Sequence, residues 1–261
     1  RLGFCISRMM FDGPDEELMK TEFTQPAILT ASVAVSTILR EHGLTPDVVA
    51  GHSLGEYSAL VTAGALSFSD AIHVVHLRGK YMQEAVPLGE GGMAAIIALD
   101  AESIKDICNT ISTEEKPVQA VNFNCPGQVV IAGATEAVKQ ACNAMKEAGA
   151  KMAVMLKVSA PFHSIMMEPA AVKLKEVLDT VTIQDAQMPV YANYNAAAEI
   201  KADDIRKNLV LQAAHPVLWD ASIQQMIADG ATEFIEVGPG KVLQGLVKKI
   251  NKEAVVASAE I

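Results

Sequence analysis

The sequence predicts an α/β fold: a mostly parallel sheet covered by helices, with a second, ferredoxin-like unit inserted into it. Three observations carry that prediction. First, Asp47-Val48-Val49-Ala50 runs straight into Gly51-His52-Ser53-Leu54-Gly55, and the helix-favouring stretch Glu56-Tyr57-Ser58-Ala59-Leu60-Val61 follows at once. A buried strand, a sharp turn and a helix is the context of a nucleophile elbow. Second, short apolar runs alternate with helix-length segments, as in a parallel sheet covered on both faces. Third, the rhythm changes after Gly89-Glu90-Gly91-Gly92, a flexible loop suited to a domain junction. From there to Ser159 the order is β-α-β-β-α-β, the split βαβ arrangement. The expected units are therefore residues 1–88 with 160–261, and residues 89–159.

Taken in order, Arg1-Leu2-Gly3-Phe4 has no initiator Met and reads like the middle of an element. Thr24-Gln25-Pro26 opens a helix, with Thr24 as cap and Pro26 in the first turn. Ile28, Leu29, Val33, Ile38 and Leu39 recur at near-helical spacing, and Gly43 closes that helix. After the elbow, Ser67-Phe68-Ser69-Asp70 has the form of a capping box before a helix to about Ala85. In the inserted unit, strands are expected at Met93–Asp100, Val118–Asn122, Gln128–Ala132 and Met152–Val158. Helices are expected at Ala101–Ser112 and Thr135–Ala148, and a turn at Asn124-Cys125-Pro126-Gly127. Ser159-Ala160-Pro161-Phe162-His163-Ser164 reads as a loop, because Pro161 keeps Ala160 extended. A helix to about Val181, a strand near Pro189–Ala192 and a helix from Ala202 follow. Pro216 is expected in the first turn of the next helix. Thr232–Val237 is a short strand, Val242–Ile250 a helix, and Val255–Ala257 a last strand.

With 261 residues, half of them hydrophobic and a fifth charged, the chain can bury a large α/β core. Runs such as Met93–Leu99 are far too short to cross a membrane, and no leader peptide is visible. Cys5, Cys108, Cys125 and Cys142 are scattered without metal-ligand spacing, so neither zinc nor disulfides are expected and a reducing cytoplasm fits. A formal charge of −10 argues against nucleic acid as a partner, and requires any acidic partner to dock on a local basic patch.

Gly51 and Gly55 let strand and helix backbones approach closely, and the turn lifts Ser53 out of the sheet. The Leu54 N–H then sits at a helix N-terminus, where it can stabilise an oxyanion. The alternative is a glycine-rich turn with a capping serine. An elbow serine needs a base. His52 points away from the serine as a packing residue, His42 ends a helix, His215 is a loop residue before Pro216, and His73 and His76 read as helix-face residues. His163 lies in a loop where the chain re-enters the main sheet, the place where α/β folds collect catalytic groups. Spacing alone leaves the choice among them open.

Together, Gly51-His52-Ser53-Leu54-Gly55-Glu56-Tyr57, Arg78-Gly79-Lys80-Tyr81-Met82, Pro161-Phe162-His163-Ser164 and Glu236-Val237-Gly238-Pro239-Gly240-Lys241 resemble the malonyl-CoA:acyl carrier protein transacylases. The motifs stand in the family's order and span nearly the whole chain. The resemblance implies an α/β-hydrolase-like domain with a ferredoxin-like insertion. It implies that Ser53 is acylated by malonyl-CoA and surrenders the malonyl group to the phosphopantetheine thiol of acyl carrier protein, as in fatty acid biosynthesis. By the same resemblance His163 is the base, oriented by the backbone carbonyl of Gln212, and Arg78 pairs with the free carboxylate of malonate. Phe162 matches the malonyl-selective form of its loop. Met82, one turn after Arg78, is placed to line the same pocket; Asn122 and Asn124 are candidates for ordering it, with turn-forming as their default reading. No metal or organic cofactor is implied; malonyl-CoA is a substrate. Gly238-Pro239-Gly240-Lys241 lacks the rest of a phosphate-loop pattern and reads as a tight turn into a helix. Lys241, Lys248 and Lys249 form one of the few basic clusters, suited to CoA phosphates or an acidic carrier protein.

The family pattern also implies a strand and a Gly-Gln-Gly-Ser-Gln loop ahead of the position matching Arg1, whose glutamine is a second oxyanion donor. The expectation is that the 261 residues are a fragmentary record of such a chain. Three other readings use the same features: a stand-alone acyltransferase of a polyketide synthase, a serine thioesterase or esterase, and a non-catalytic carrier-binding module. Arg78 discriminates against the hydrolases, because simple acyl groups have no need of a buried cation.

Overall fold

The computed structural model describes residues 2–158 and 160–259. Ser159, at the expected boundary of the inserted unit, lies outside the described residues. The chain opens with two short helices that the sequence did not predict, α1 (Ile6–Asp12) and α2 (Asp15–Leu18). Phe4 packs edge-on against Phe23 and His76, so the start of the chain is tied to the helices behind it.

α3 (Thr21–Glu41) is capped at Lys20 and so starts four residues earlier than predicted, which puts Pro26 inside the helix. Pro26 has no N–H to give the Glu22 carbonyl, so that acceptor should be orphaned. His76 Nδ1 bonds it instead at 2.9 Å, which gives this helix-face histidine a structural use. The elbow strand is β1 (Val49–Ala50), followed by α4 (Gly55–Thr62). α5 (Phe68–Glu84) begins at the predicted cap: the Asp70 N–H donates to Ser67 Oγ, which donates in turn to the Asp70 carboxylate. A Cβ at Gly79 would strike the Thr21 carbonyl, so this glycine is what lets α5 lie against α3.

β2 (Gly91–Ile97), α6 (Ala101–Ile111), β3 (Val118–Cys125), β4 (Gln128–Ala134), α7 (Thr135–Glu147) and β5 (Met152–Met155) follow in the expected order. Their strands form one antiparallel sheet in the order β3-β4-β2-β5. β3 runs further than predicted and takes Asn124 and Cys125 out of the turn, because two register shifts against β4 carry the pairing past Asn122. Ile96, Ile104, Ile131, Val138 and Met145 pack a core between this sheet and its two helices.

After a 3-10 turn at Ile165–Met167 come α8 (Glu168–Leu178), β6 (Val190–Tyr191), β7 (Ala198–Glu199), α9 (Ala202–Ala214) and α10 (Trp219–Ala228). Pro216 is not in a first helical turn: α10 starts three residues later. Val217 is instead extended, donating its N–H to Val121 and accepting from the Phe123 N–H, a tertiary pairing invisible in local sequence. β8 (Glu233–Val237), α11 (Val242–Ile250) and β9 (Val255–Ala259) close the described chain.

Outside the four-stranded sheet the strands form two patches instead of one continuous parallel sheet. β1 pairs parallel with β6, which pairs antiparallel with the unpredicted β7; β8 pairs parallel with β9. Between the patches lies a cavity of about 600 Å³, lined by Val49 and Ala50 on one side and Phe234 and Ile235 on the other. Leu29, Leu60, Val75, Leu174, Val190 and Leu209 belong to the main core, which joins α3, α4, α5, α8, α9 and β6 beneath the elbow. Among the described residues, no helix is long and apolar enough to cross a membrane.

Candidate active site

The elbow is built by its glycine. A Cβ at Gly51 would run into the Gly55 backbone, so no other residue lets β1 turn so sharply into α4. Ser53 sits at the apex with φ 51°, a left-handed conformation that costs a non-glycine residue roughly 1–3 kcal/mol and collects at functional sites. Leu54 is the N-cap of α4, which places its N–H at the positive end of that helix.

His163 comes to the serine from 110 residues away, and it too has a positive φ, 63°. Ser53 Oγ donates to His163 Nε2 at 2.7 Å, and His163 Nδ1–H donates to the backbone carbonyl of Gln212 at 2.8 Å. The carbonyl can only accept, which fixes the tautomer: Nδ1 carries the proton and Nε2 faces the serine as an acceptor. Burial, and then the Arg78 cation, push the imidazole down from its usual range to about 3. At neutral pH this histidine is a free base.

Arg78, on α5, is 1% exposed. Its acceptors are neutral: NH1 donates to Gln25 Oε1 at 2.8 Å, and NH2 to Gln212 Oε1 at 3.0 Å and to Ser53 Oγ at 3.1 Å. Its guanidinium carbon lies 5.5 Å from the centre of the Tyr57 ring. Burial lowers its pKa, yet an arginine stays charged under any ordinary condition. The serine hydroxyl thus sits between a neutral base and a buried cation, so an oxyanion forming there, or an anionic substrate group, would find positive charge already in place.

The structure brings Ser53, His163, Gln212 and Arg78 together and puts Leu54 beside them. Phe162 packs against both the main core and the face of the antiparallel sheet formed by Met93, Val121, Val130 and Ala132. Met82 is buried in the main core one turn beyond Arg78. Asn124 holds His52, with His52 Nε2 and Asn124 Oδ1 2.9 Å apart, while the His52 ring leans on Trp219 at 5.6 Å; this is the packing role expected for that histidine. Asn122 Oδ1 is buried without a hydrogen-bond partner.

Sequence reasoning missed three residues. Gln25, read only as part of a helix start, holds Arg78. Glu56 is fully buried, and burial raises its carboxyl to about 8. Asn193 accepts the Ser53 N–H at 2.6 Å. One signal was available for Asn193: it stands two residues past β6, at the C-terminal end of a strand next to the elbow strand. The Gly238-Pro239-Gly240-Lys241 turn does lead into a helix, and the Glu236 carboxylate accepts the first N–H groups of α11, from Leu243 and Gln244, at 3.0 and 2.9 Å. A carboxylate in that place leaves no phosphate cradle at this helix.

The acyl transferase domain family matches residues 1–261. The chain belongs to that family. It is 53% identical over 247 residues to the malonyl CoA-acyl carrier protein transacylase of Bacillus subtilis (strain 168), covering 95% of this chain and 78% of that protein. A crystal structure of an acyl carrier protein S-malonyltransferase from Vibrio cholerae superimposes with a TM-score of 0.97 at 46% identity, covering 99% of this chain and 85% of that one. A malonyl-transacylase solved in complex with a type II PKS acyl carrier protein gives a TM-score of 0.95 at 47% identity, covering 99% and 84%. The acyl transferase domain thus takes in the elbow, His163 and Arg78 alike.

Proposed function

We propose that the chain transfers a malonyl group from malonyl-CoA to the phosphopantetheine thiol of acyl carrier protein, through an ester on Ser53. The observation that carries this reading is Arg78: a buried guanidinium with only neutral acceptors, 3.1 Å from the hydroxyl of an elbow serine. A thioester that ends in a free carboxylate supplies the missing anion, and a planar fork can bind it through two parallel bonds. An esterase acting on neutral acyl groups would leave that cation buried and unpaired.

In the first half-reaction His163 Nε2 takes the Ser53 proton as Oγ attacks the thioester carbonyl. The Leu54 N–H stabilises the oxyanion. The tetrahedral intermediate collapses, the C–S bond breaks, and the CoA thiolate leaves with the proton from His163. In the second half-reaction the carrier thiol gives its proton to His163 and attacks the ester. The C–O bond then breaks, and Ser53 recovers its proton. Gln212 anchors the histidine by its carbonyl and Arg78 by its side chain. Malonyl-CoA enters this scheme as a substrate.

Residues 1–88 with 160–261 form the larger, α/β-hydrolase-like unit in this reading, and residues 89–159 a ferredoxin-like one. The strand order β3-β4-β2-β5 with α6 and α7 supports the second assignment. The reaction is assigned to fatty acid biosynthesis; one structural neighbour was solved with a type II PKS acyl carrier protein, which keeps a polyketide setting as the alternative. A cytoplasmic setting suits both substrates and the four free thiols. Lys248 and Lys249, in the last turn of α11, are assigned to the acidic carrier protein or the CoA phosphates.

The test is steady-state transfer from labelled malonyl-CoA to holo-acyl carrier protein over a grid of both substrates. Parallel double-reciprocal lines are expected for the ester route. Intersecting lines with no labelled ester on the enzyme would refute it. Charge reversal of Lys248 and Lys249 with no change in KM for either substrate would remove that pair from the docking surface.

A further inference from the structure

We propose that Asn193, itself held by Glu56, is a positioning residue that keeps the elbow serine in its reactive conformation. The inference rests on the reading of Ser53 as the nucleophile.

The β1–β6 ladder ends at the pair Ala50 and Tyr191. Beyond it the chain must leave the sheet, and Ser53 must adopt its positive φ. At that point a side chain takes over from the ladder. The Asn193 amide accepts the Ser53 N–H on Oδ1 at 2.6 Å and donates from Nδ2 to the Gly51 carbonyl at 2.7 Å. One planar group therefore clamps the two residues flanking His52, as a neighbouring strand would. Gln212 Nε2 meets the Ser53 carbonyl at 2.9 Å, so both backbone polar groups of the strained residue are held from outside the elbow.

Glu56 ties the two holders together. Its Oε2 accepts the Asn193 backbone N–H at 2.8 Å and Gln212 Nε2 at 3.0 Å. The Asn193 carbonyl accepts the Leu218 N–H at 2.9 Å, which fixes the other side of the same residue. Asn193, Gln212 and Glu56 are all fully buried, so water cannot replace a lost bond without entering the core. Asn193 and Glu56 act through Ser53 and Gln212; what they set is the direction of Oγ towards His163 Nε2 and towards the carbonyl it attacks. Displacing a reacting atom by about 1 Å can cost on the order of 10²-fold in rate.

The test uses the full chain with Asn193→Ala, Asn193→Asp and Glu56→Gln. Rapid-quench mass spectrometry measures acylation by malonyl-CoA and by acetyl-CoA, and thermal denaturation is recorded for each variant. Ile104→Ala, in the core of the antiparallel sheet, is the control for destabilisation alone. Asn193→Ala is expected to lower kcat for acylation about 10²-fold with KM little changed, equally for both acyl groups. Asn193→Asp keeps the acceptor for Ser53 and loses the donor to Gly51, so it should fall between Asn193→Ala and wild type. Glu56→Gln keeps an oxygen for both donors and should recover most of the rate; this variant and Asn193→Asp carry the test if the alanine variant does not fold. A folded Asn193→Ala with wild-type kcat would overturn the inference, as would a loss matched by Ile104→Ala at equal destabilisation. Absence of any adduct on the wild-type chain would overturn the functional reading, and this inference with it. A normal wild-type adduct with unimpaired Asn193 variants would overturn the inference alone.

Discussion

Replacing Arg78 by alanine separates what the cation does for malonyl from what it does for the serine. Its contact with Ser53 Oγ, at 3.1 Å, is present whatever the acyl group. In the proposed reaction its pairing with a substrate carboxylate exists for malonyl alone. A hydrogen bond to a charged group contributes about 1.5–3 kcal/mol, so a two-bond clamp that is only partly replaced by water should lose about 3 kcal/mol. At 1.36 kcal/mol per factor of ten, that is about 10²-fold in kcat/KM for malonyl-CoA. The loss of the serine contact lowers the malonyl and acetyl rates together and cancels in their ratio. The malonyl-to-acetyl ratio of kcat/KM should therefore fall about 10²-fold by this arithmetic. Arg78→Lys, which keeps the charge without the fork, should fall between wild type and alanine. The assay is competitive acylation with both CoA esters in one reaction, read by intact mass. An unchanged ratio, with both rates reduced alike, would refute the assignment of Arg78 to the malonyl carboxylate.

Other outcomes follow from the same geometry. His163→Ala removes the proposed base, 2.7 Å from Ser53 Oγ, and should slow acylation by about 10²–10⁴-fold. Because the wild-type imidazole titrates near 3, the acid limb of kcat/KM should lie well below 6.5; a limb centred at 6.5 would contradict the burial argument. Glu56 holds its proton up to about 8 and Glu199 up to about 7 in the folded state, whereas an exposed carboxyl loses it near 4.5. The folded chain therefore binds more protons across that window, and these two groups make stability fall as pH rises. His163 acts in the opposite sense only below 6.5, so Tm should drop from pH 6.5 to 8, and less steeply in Glu56→Gln. Gly51→Ala forces a methyl into the Gly55 backbone and should cost about 1–3 kcal/mol or more, read as a lower Tm with acylation lost.

Local chemistry made much of this architecture legible before any coordinates. The elbow, the capping box at Ser67, the β-α-β-β-α-β order and the helix at Val242 each rest on signals within a few residues of one another. The errors lie where distant chain decides. Pro26 reads as a helix start because prolines belong there, but His76 on another helix satisfies the carbonyl it orphans. Pro216 reads the same way, yet Val217 is drawn into pairing with β3. β7 has only two residues and owes its existence to the β6 edge. In the site, Ser53 could be found from its own neighbours. His163 and Arg78 took the ordered motifs to select, since six histidines and any helix-face arginine fit local rules. Glu56 was in plain view beside the elbow, but its burial and its tie to Asn193, 137 residues away, exist only in three dimensions.

The most direct test of the central claim is the intact mass of the chain after brief exposure to malonyl-CoA, with acetyl-CoA and Ser53→Ala as controls. A malonyl adduct that is scarce with acetyl-CoA and absent from Ser53→Ala is the predicted result; it would establish the nucleophile, the ester and the selectivity together. A folded wild-type chain that gains no malonyl mass, or a Ser53→Ala variant that gains it equally, would contradict the account.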